Sequence, residues 1–201
     1  MLMNTTIVRL ARRAAVRASG GATHPQSGLT HVRADSAMPT MVDVQSKERT
    51  VRHARARAVV RLPPAVVDGL EATGGGDAAT DYTSAKGPVF CTAIVAGTMA
   101  VKRTSDLIPF CHPLPVEKCD VQLRMEEGGR VVVECAVSVE HKTGVEMEAL
   151  VGASAAALTV YDMCKALSHD IVIEETRLLH KSGGKRAFDL EERERAERDG
   201  A

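Results

Sequence analysis

Between Leu150 and Val160 the chain runs LVGASAAALTV, with no charged side chain and with small residues on every side of a helical wheel. Such a segment favours helix strongly. It has no polar face to give to water, so it is expected to be buried between other elements. Gly152, Ala153 and Ala155 leave room for another backbone to approach closely. In a chain of 201 residues, burial on all sides implies a neighbouring subunit, and an oligomer is expected. Thr143 and Glu146 have the Thr-x-x-Glu spacing of a capping box, which predicts a helix from Gly144 to about Leu167.

The other elements follow from period and punctuation. RARAVVRL (55–62) alternates like a strand and is followed by two prolines and a short helical piece at 65–70. EATGGGDAATDYTSAKG reads as a mobile loop that ends around Lys86. VFCTAIVAGTMAVKRTSDLI has apolar residues at helical spacing, predicting a helix that closes on Lys102 and Arg103 before the Pro109, Pro113 and Pro115 exit loop. VEKCDVQLRM and RVVVECAVSVE alternate on either side of EEGG, a hairpin signal. DIVIEETRLLHK supplies a last strand. The order strand, helix, strand, strand, helix, strand predicts an α+β, ferredoxin-like subunit, an antiparallel sheet with helices packed on one face.

The ends differ from this body. Residues 1–28 contain Arg9, Arg12, Arg13 and Arg17, no acidic residue, and an apolar face at Ile7, Leu10, Ala11 and Ala14. That is the pattern of a transit peptide and would give a mitochondrial location; the alternative is a disordered extension on a cytoplasmic protein. The expected domain is 29–190, and 191–201 (EERERAERDGA) is expected to be a solvated or frayed end.

Composition narrows the function. Of 26 basic residues five lie within 1–34, leaving 21 against 26 acidic ones in the body. A net acidic body with two Tyr, three Phe and no Trp argues against nucleic-acid binding, which needs a basic surface and stacking platforms. No stretch approaches the ~20 apolar residues of a membrane span. The five cysteines include no CxxC pair, so neither a disulfide framework nor a metal site is expected.

Chemistry then concentrates at three places. Asp162 and Lys165 lie three residues apart on one helix face directly after the buried run. They form either an ordinary surface ion pair or a proton donor and acceptor whose pKa values are tuned by partial burial. Glu148 falls within about 40° of the same face but ~21 Å away along the axis, so if both serve one small ligand they come from different subunits. In KRTSDLIPFCHP, Lys102 and Arg103 offer charge for phosphate, while His112 sits between Cys111 and Pro113 in an apolar loop. Lys86 in AKGP, and Lys181 and Lys185 in KSGGK, lie beside glycines that let a backbone approach an anion.

Six stretches, LTH (29–31), MVDV (41–44), AGTMAVKRTSDLIPFCHPL, KTGVEMEAL, ALTVYDMCKA and KSGGK, occur in an order that closely resembles the cyclic pyranopterin monophosphate synthases of molybdenum cofactor biosynthesis. The resemblance covers about Leu29 to Lys185. It implies a phosphorus–oxygen lyase that converts (8S)-3',8-cyclo-7,8-dihydroguanosine 5'-triphosphate to cyclic pyranopterin monophosphate and pyrophosphate. It further implies a ferredoxin-like subunit in a hexamer built as a trimer of dimers, with the active site where subunits meet. By motif position, catalytic roles fall on Asp162, Lys165 and Lys86. Substrate-binding roles fall on Phe110, Cys111, His112, Met147, Glu148 and Lys181, with Lys102 and Arg103 as further cations for the leaving charge. No redox cofactor or resident metal is implied, although the chemistry admits Mg²⁺. Two departures stand out: a long, Gly-rich loop before Lys86, and Arg186 with Ala187 after KSGGK. A non-catalytic oligomeric module that binds a nucleotide or pterin is the rival reading.

Overall fold

Arginine and alanine alternate through the first strand segment, and a period of two sends the alanines to one face of a sheet and the arginines to the other. The computed structural model of the chain, which describes residues 38–75 and 81–199, carries this pattern as β1 (Thr50–Arg61). Ala54, Ala56, Ala58 and Val60 are buried, while Arg55 and Arg57 are only half-buried. β1 starts earlier than the expected Arg55 because TVRHA continues the ladder against a long partner strand.

The chain continues through α1 (Pro64–Glu71), a short ladder of β2 (Thr83–Ser84) and β3 (Gly87–Pro88), α2 (Val89–Lys102) and the single turn α3 (Thr104–Leu107). Then come β4 (Lys118–Glu126), β5 (Arg130–His141), α4 (Glu146–Cys164), β6 (Val172–Ser182), β7 (Phe188–Asp189) and α5 (Leu190–Asp199). Residues Thr40–Ala201 cluster as one compact unit. The main sheet has the order β4-β5-β1-β6-β7 with every pairing antiparallel. At the β4–β5 turn, Gly128 and Gly129 have φ of 75° and 73°, a conformation that a side chain would oppose.

The core lies between this sheet and the helix pair α2 and α4. Val131, Val133, Cys135, Val137 and Val139 of β5 join the β1 alanines beneath Val89, Ala93 and Val101 of α2 and Ala149, Ala153, Ala156 and Val160 of α4. No aromatic ring is fully buried there; Tyr82 and Phe90 pack edge to face at 5.2 Å beside it. Small side chains therefore set the layer spacing. A Cβ on Gly97 would meet the Gly152 carbonyl oxygen at 3.0 Å, and one on Gly152 would meet Cys135 Sγ and Val101 Cγ2 at 2.6 Å. The close approach foreseen for Gly152 is thus made by α2 and β5 of the same protomer, whereas Leu158 on α4 remains 59% exposed.

Several local expectations are corrected. α4 begins at Glu146 and ends at Cys164, and its N-cap, Val145, makes no side-chain cap. Glu146 is drawn away from capping by Lys181, whose Nζ donates to it at 2.8 Å. The segment before Lys86 is not all loop, since β2 and β3 close a tight turn at that lysine; residues 76–80 lie outside the described residues. Of the two alternatives for the tail, the solvated one holds: it is helical through Asp199 with no buried residue, and Glu191 and Glu194 reach Arg55 and Arg177 at 3.4 and 3.2 Å. The Arg-rich 1–28 extension and the LTH motif lie outside the described residues. Among the described residues, no helix is long and apolar enough to cross a membrane.

Candidate active site

The C-terminal end of α4 and the β2–β3 turn meet at a carboxylate shared by two ammonium groups. Lys86 Nζ lies 2.6 Å from Asp162 Oδ2 and also donates to the Asp162 backbone carbonyl at 2.8 Å. Lys165 Nζ lies 2.8 Å from Asp162 Oδ1. The turn is fixed by Ser84, whose hydroxyl accepts from the Lys86 N–H and donates to the Gly87 carbonyl. Its base is pinned by Asp81, which accepts from the Phe90 and Cys91 N–H groups at the start of α2.

All three side chains are 42–53% exposed, so the partial burial considered for the Asp162 and Lys165 pair is absent in the single protomer. Hydrogen bonds from Lys165 and then Lys86 hold the Asp162 carboxyl down to about 2. The hydrogen bond to that carboxylate in turn holds the Lys165 ammonium above its ordinary value. At neutral pH Asp162 is ionised and Lys165 is charged.

A second cluster occupies the other end of α4. Glu148 is 4% exposed, and burial pushes its carboxyl up to about 7, with Glu146 adding to the rise. Cys111 stands close enough that burial first, and then the Glu148 charge, raise its thiol. Phe110 beside it is 38% exposed, Met147 is half-buried in the first turn of α4, and Lys181 pairs with Glu146. His112 faces His141 at the end of β5, where Arg49, Arg52 and Lys142 also gather. Arg52 Nε donates to the His141 carbonyl at 3.2 Å, Arg49 to the Glu140 carbonyl at 3.1 Å, and Lys142 Nζ to the Gln45 carbonyl at 2.7 Å.

The structure therefore brings Lys86, Asp162 and Lys165 together, and brings Cys111, His112, Glu148 and Lys181 to a separate region with Phe110 and Met147 alongside. Fourteen helical residues separate Glu148 from Asp162, a rise of ~21 Å. Lys102 and Arg103 close α2 with exposed side chains that make no hydrogen bond or ion pair among the described residues. Sequence reasoning missed Arg49, Arg52, His141 and Lys142. The signal is the β1–β5 register, which sets Arg52 opposite Val139 and Thr50 opposite His141. No local motif carries it. Among the described residues no His, Cys, Asp and Glu grouping is arranged to hold a metal ion.

A sequence model described as the MoaC family matches residues 41–184. The chain is 54% identical over 158 residues to a protein of Xanthomonas oryzae pv. oryzae named cyclic pyranopterin monophosphate synthase, covering 79% of this chain and 91% of that one. It is 50% identical over 166 residues to molybdenum cofactor biosynthesis protein 1 of Dictyostelium discoideum, covering 78% of this chain and 26% of that protein. A molybdenum cofactor biosynthesis bifunctional protein of Synechocystis sp. is 48% identical over 161 residues, with 44% of its length covered. The chain thus spans about a quarter of the Dictyostelium protein and nearly all of the Xanthomonas one.

Proposed function

The chain belongs to the MoaC family, and from that membership we propose that it is an enzyme of molybdenum cofactor biosynthesis, a cyclic pyranopterin monophosphate synthase. The substrate is (8S)-3',8-cyclo-7,8-dihydroguanosine 5'-triphosphate, and the products are cyclic pyranopterin monophosphate and pyrophosphate. The observation that carries the reading is the convergence of Lys86 and Lys165 on Asp162 from positions far apart in the chain.

Rebuilding a purine into a pterin moves protons and breaks and forms bonds without net transfer of electrons, so the reaction calls for acids and bases and no redox group. Lys165 enters charged and donates first. Asp162, ionised at neutral pH, orients both ammonium groups and compensates whichever remains charged. When substrate and a neighbouring protomer cover the cluster, the loss of water lowers the cost of releasing a proton from one of two ammoniums that share a single carboxylate. Closure of the cyclic phosphate displaces pyrophosphate from the α-phosphorus. Lys181 and the basic groups near His112 neutralise the departing charge.

Because the two clusters sit ~21 Å apart along one helix, a single small substrate meets both only across a subunit boundary, and the working unit is an oligomer, a hexamer in this reading. The test uses the cyclised triphosphate with purified protein, following pyrophosphate release and formation of the pterin. Wild-type protein releases one pyrophosphate per pterin, and Lys165→Ala and Glu148→Gln are each inactive. Co-assembling those two variants restores part of the activity, since mixed interfaces contain one intact site. Binding of the substrate without pyrophosphate release would favour the non-catalytic module. Failure of the mixture to recover would place both clusters' work within one protomer.

A further inference from the structure

On the face of the sheet away from α2 and α4, arginines are closed by glutamates at short range: Arg57 with Glu175 at 2.6 Å, Arg61 with Glu174 at 2.8 Å and Arg124 with Glu134 at 3.0 Å. Arg55 is not. Its nearest carboxylate oxygens, from Glu191 and Glu134, stand at 3.4 and 3.8 Å, beyond the ~2.7–2.9 Å of a good charge-assisted hydrogen bond. The Arg55 side chain borders an open cavity of about 320 Å³ together with His53, Lys118, Ser138 and His180, over a floor that includes Ala136. Among the described residues no carboxylate lines it. The cavity exists because β5 presents only the short Ala136 and Ser138 there, while the strands on either side present long side chains. Lys118, His53 and the Ser138 hydroxyl make no side-chain hydrogen bond or ion pair among the described residues. His180, held by Asp189 at 3.0 Å, forms the wall on the β6 side.

The sheet register sorts these groups into two rows. Lys118, Ser138 and His53 lie opposite one another across β4, β5 and β1, and Ala136, Arg55 and His180 do so across β5, β1 and β6. The rows are two residues apart, ~7 Å along the strands. Each holds one strong cation, Lys118 in the first and Arg55 in the second, and β5 runs between the two strands that carry them. A single compact oxyanion would serve one row and leave the other cation unmatched. Two carboxylates joined by a three-carbon chain place their outer oxygens ~7 Å apart, at ~1.5 Å per bond, and so reach both rows. The volume is at the small end of the ~300–1,000 Å³ usual for ligand cavities, which suits a ligand of that size. We propose that the cavity binds a small dicarboxylate of four or five carbons, one carboxylate on the Arg55 fork and the other on Lys118 and the Ser138 hydroxyl. The site is separate from the clusters on α4, since Lys181, next to His180, turns to the opposite face of the sheet to pair with Glu146. Glu191, in the first turn of α5, is an internal competitor whose place on Arg55 the ligand takes. That helix lies beyond the residues the family model matches.

The test is calorimetric titration of the full chain with glutarate, with butyrate, which has one carboxylate, and inorganic phosphate, a compact anion, as comparisons. Glutarate binds saturably and at least ~10-fold more tightly than either, and its affinity falls as salt rises. Arg55→Gln and Lys118→Gln each weaken it by at least ~10-fold, the loss expected for a hydrogen bond between charged groups. Ala136→Leu changes no charge but fills the floor, and it abolishes binding while the far-ultraviolet circular dichroism stays unchanged. Glu191→Gln removes the competitor and tightens binding about two- to fivefold, the range of an exposed ion pair. Arg61→Gln, an equal charge change on the same face outside the cavity, stays within about twofold of wild type. Absence of saturable glutarate binding, phosphate affinity equal to that of glutarate, or glutarate affinity unchanged in Arg55→Gln and Ala136→Leu would overturn the proposal. The titration needs no turnover. Glutarate binding with this pattern of variants, in a protein that releases no pyrophosphate from the cyclised triphosphate, would keep the cavity site and sink the proposed activity; turnover without glutarate binding would do the reverse.

Discussion

Replacing Glu148 with glutamine should stabilise the protein, by an amount that depends on pH. The carboxyl is 4% exposed and its pKa is raised from 4.5 to about 7, chiefly by burial. In the unfolded chain the group ionises near 4.5, so between that pH and 7 the folded state holds a proton that the unfolded state has lost. Stability therefore falls as pH rises through this window and levels off above it. A displacement of this size corresponds to ~3 kcal/mol of stability forgone once Glu148 is ionised, at 1.36 kcal/mol per pH unit. Glutamine keeps the shape, does not titrate and escapes that penalty. Urea unfolding at fixed protomer concentration, from about pH 5 to about pH 8.5, should give free energies for wild type and Glu148→Gln within about 1 kcal/mol of each other at the acidic end. The variant should lead by ~2–3 kcal/mol at the alkaline end. An altered packing contact or hydrogen bond would add an offset that is constant with pH. Parallel curves would therefore refute the claim that Glu148 is held protonated by burial.

Three further outcomes follow from the geometry. Asp162→Asn should reduce turnover by ~100-fold or more, in line with loss of a group that orients an acid, while leaving the far-ultraviolet circular dichroism unchanged. It should also let the Lys165 pKa fall, read as faster acylation of that amine near about pH 9, because the carboxylate's hydrogen bond is what holds it up. Gly152→Val should cost at least ~2 kcal/mol in chemical unfolding, since its Cβ alone would meet Cys135 Sγ and Val101 Cγ2 at 2.6 Å; a loss below about 0.5 kcal/mol would mean the helix pair can separate freely. Leu158→Glu, at a side chain 59% exposed on an otherwise apolar helix, should lower the mass measured by light scattering if α4 meets another subunit there; an unchanged mass would move that contact elsewhere.

What could be read from the residues and what could not divide by the range of the interaction that fixes each feature. The β4–β5 hairpin and the body of α4 are set by neighbours in the chain, a pair of glycines between alternating runs and an uninterrupted stretch of small apolar residues, and both formed where expected. The start of α4 was misread because the capping box competes with a partner 35 residues away: Glu146 gains a charge-assisted bond to Lys181, which a backbone N–H cannot match. The Lys86 to Asp162 contact spans 76 residues, and no local period announces it; only the resemblance of the flanking motifs singled out Lys86. The direction of the Lys165 shift was out of reach for a related reason. Position after a buried helix suggests desolvation, but the last turn of α4 emerges into solvent and leaves the attraction to Asp162 unopposed.

The same division explains why one helix serves two different electrostatic settings. At its N-terminal end a carboxyl is buried near a thiol and becomes hard to ionise, whereas at its C-terminal end a carboxyl is exposed between two ammoniums and is hard to protonate. Glu148 near 7 can give or take a proton at neutral pH; Asp162 near 2 can do neither and instead keeps two cations in place. A reaction that both shuttles protons and expels a highly charged leaving group needs each kind of site. α4, braced by the close approach of Gly97 to Gly152, holds its two ends ~21 Å apart along the helix axis. Two antiparallel copies of α4 would set the Glu148 end of one beside the Asp162 end of the other, the arrangement that the mixture of Lys165→Ala and Glu148→Gln proteins tests.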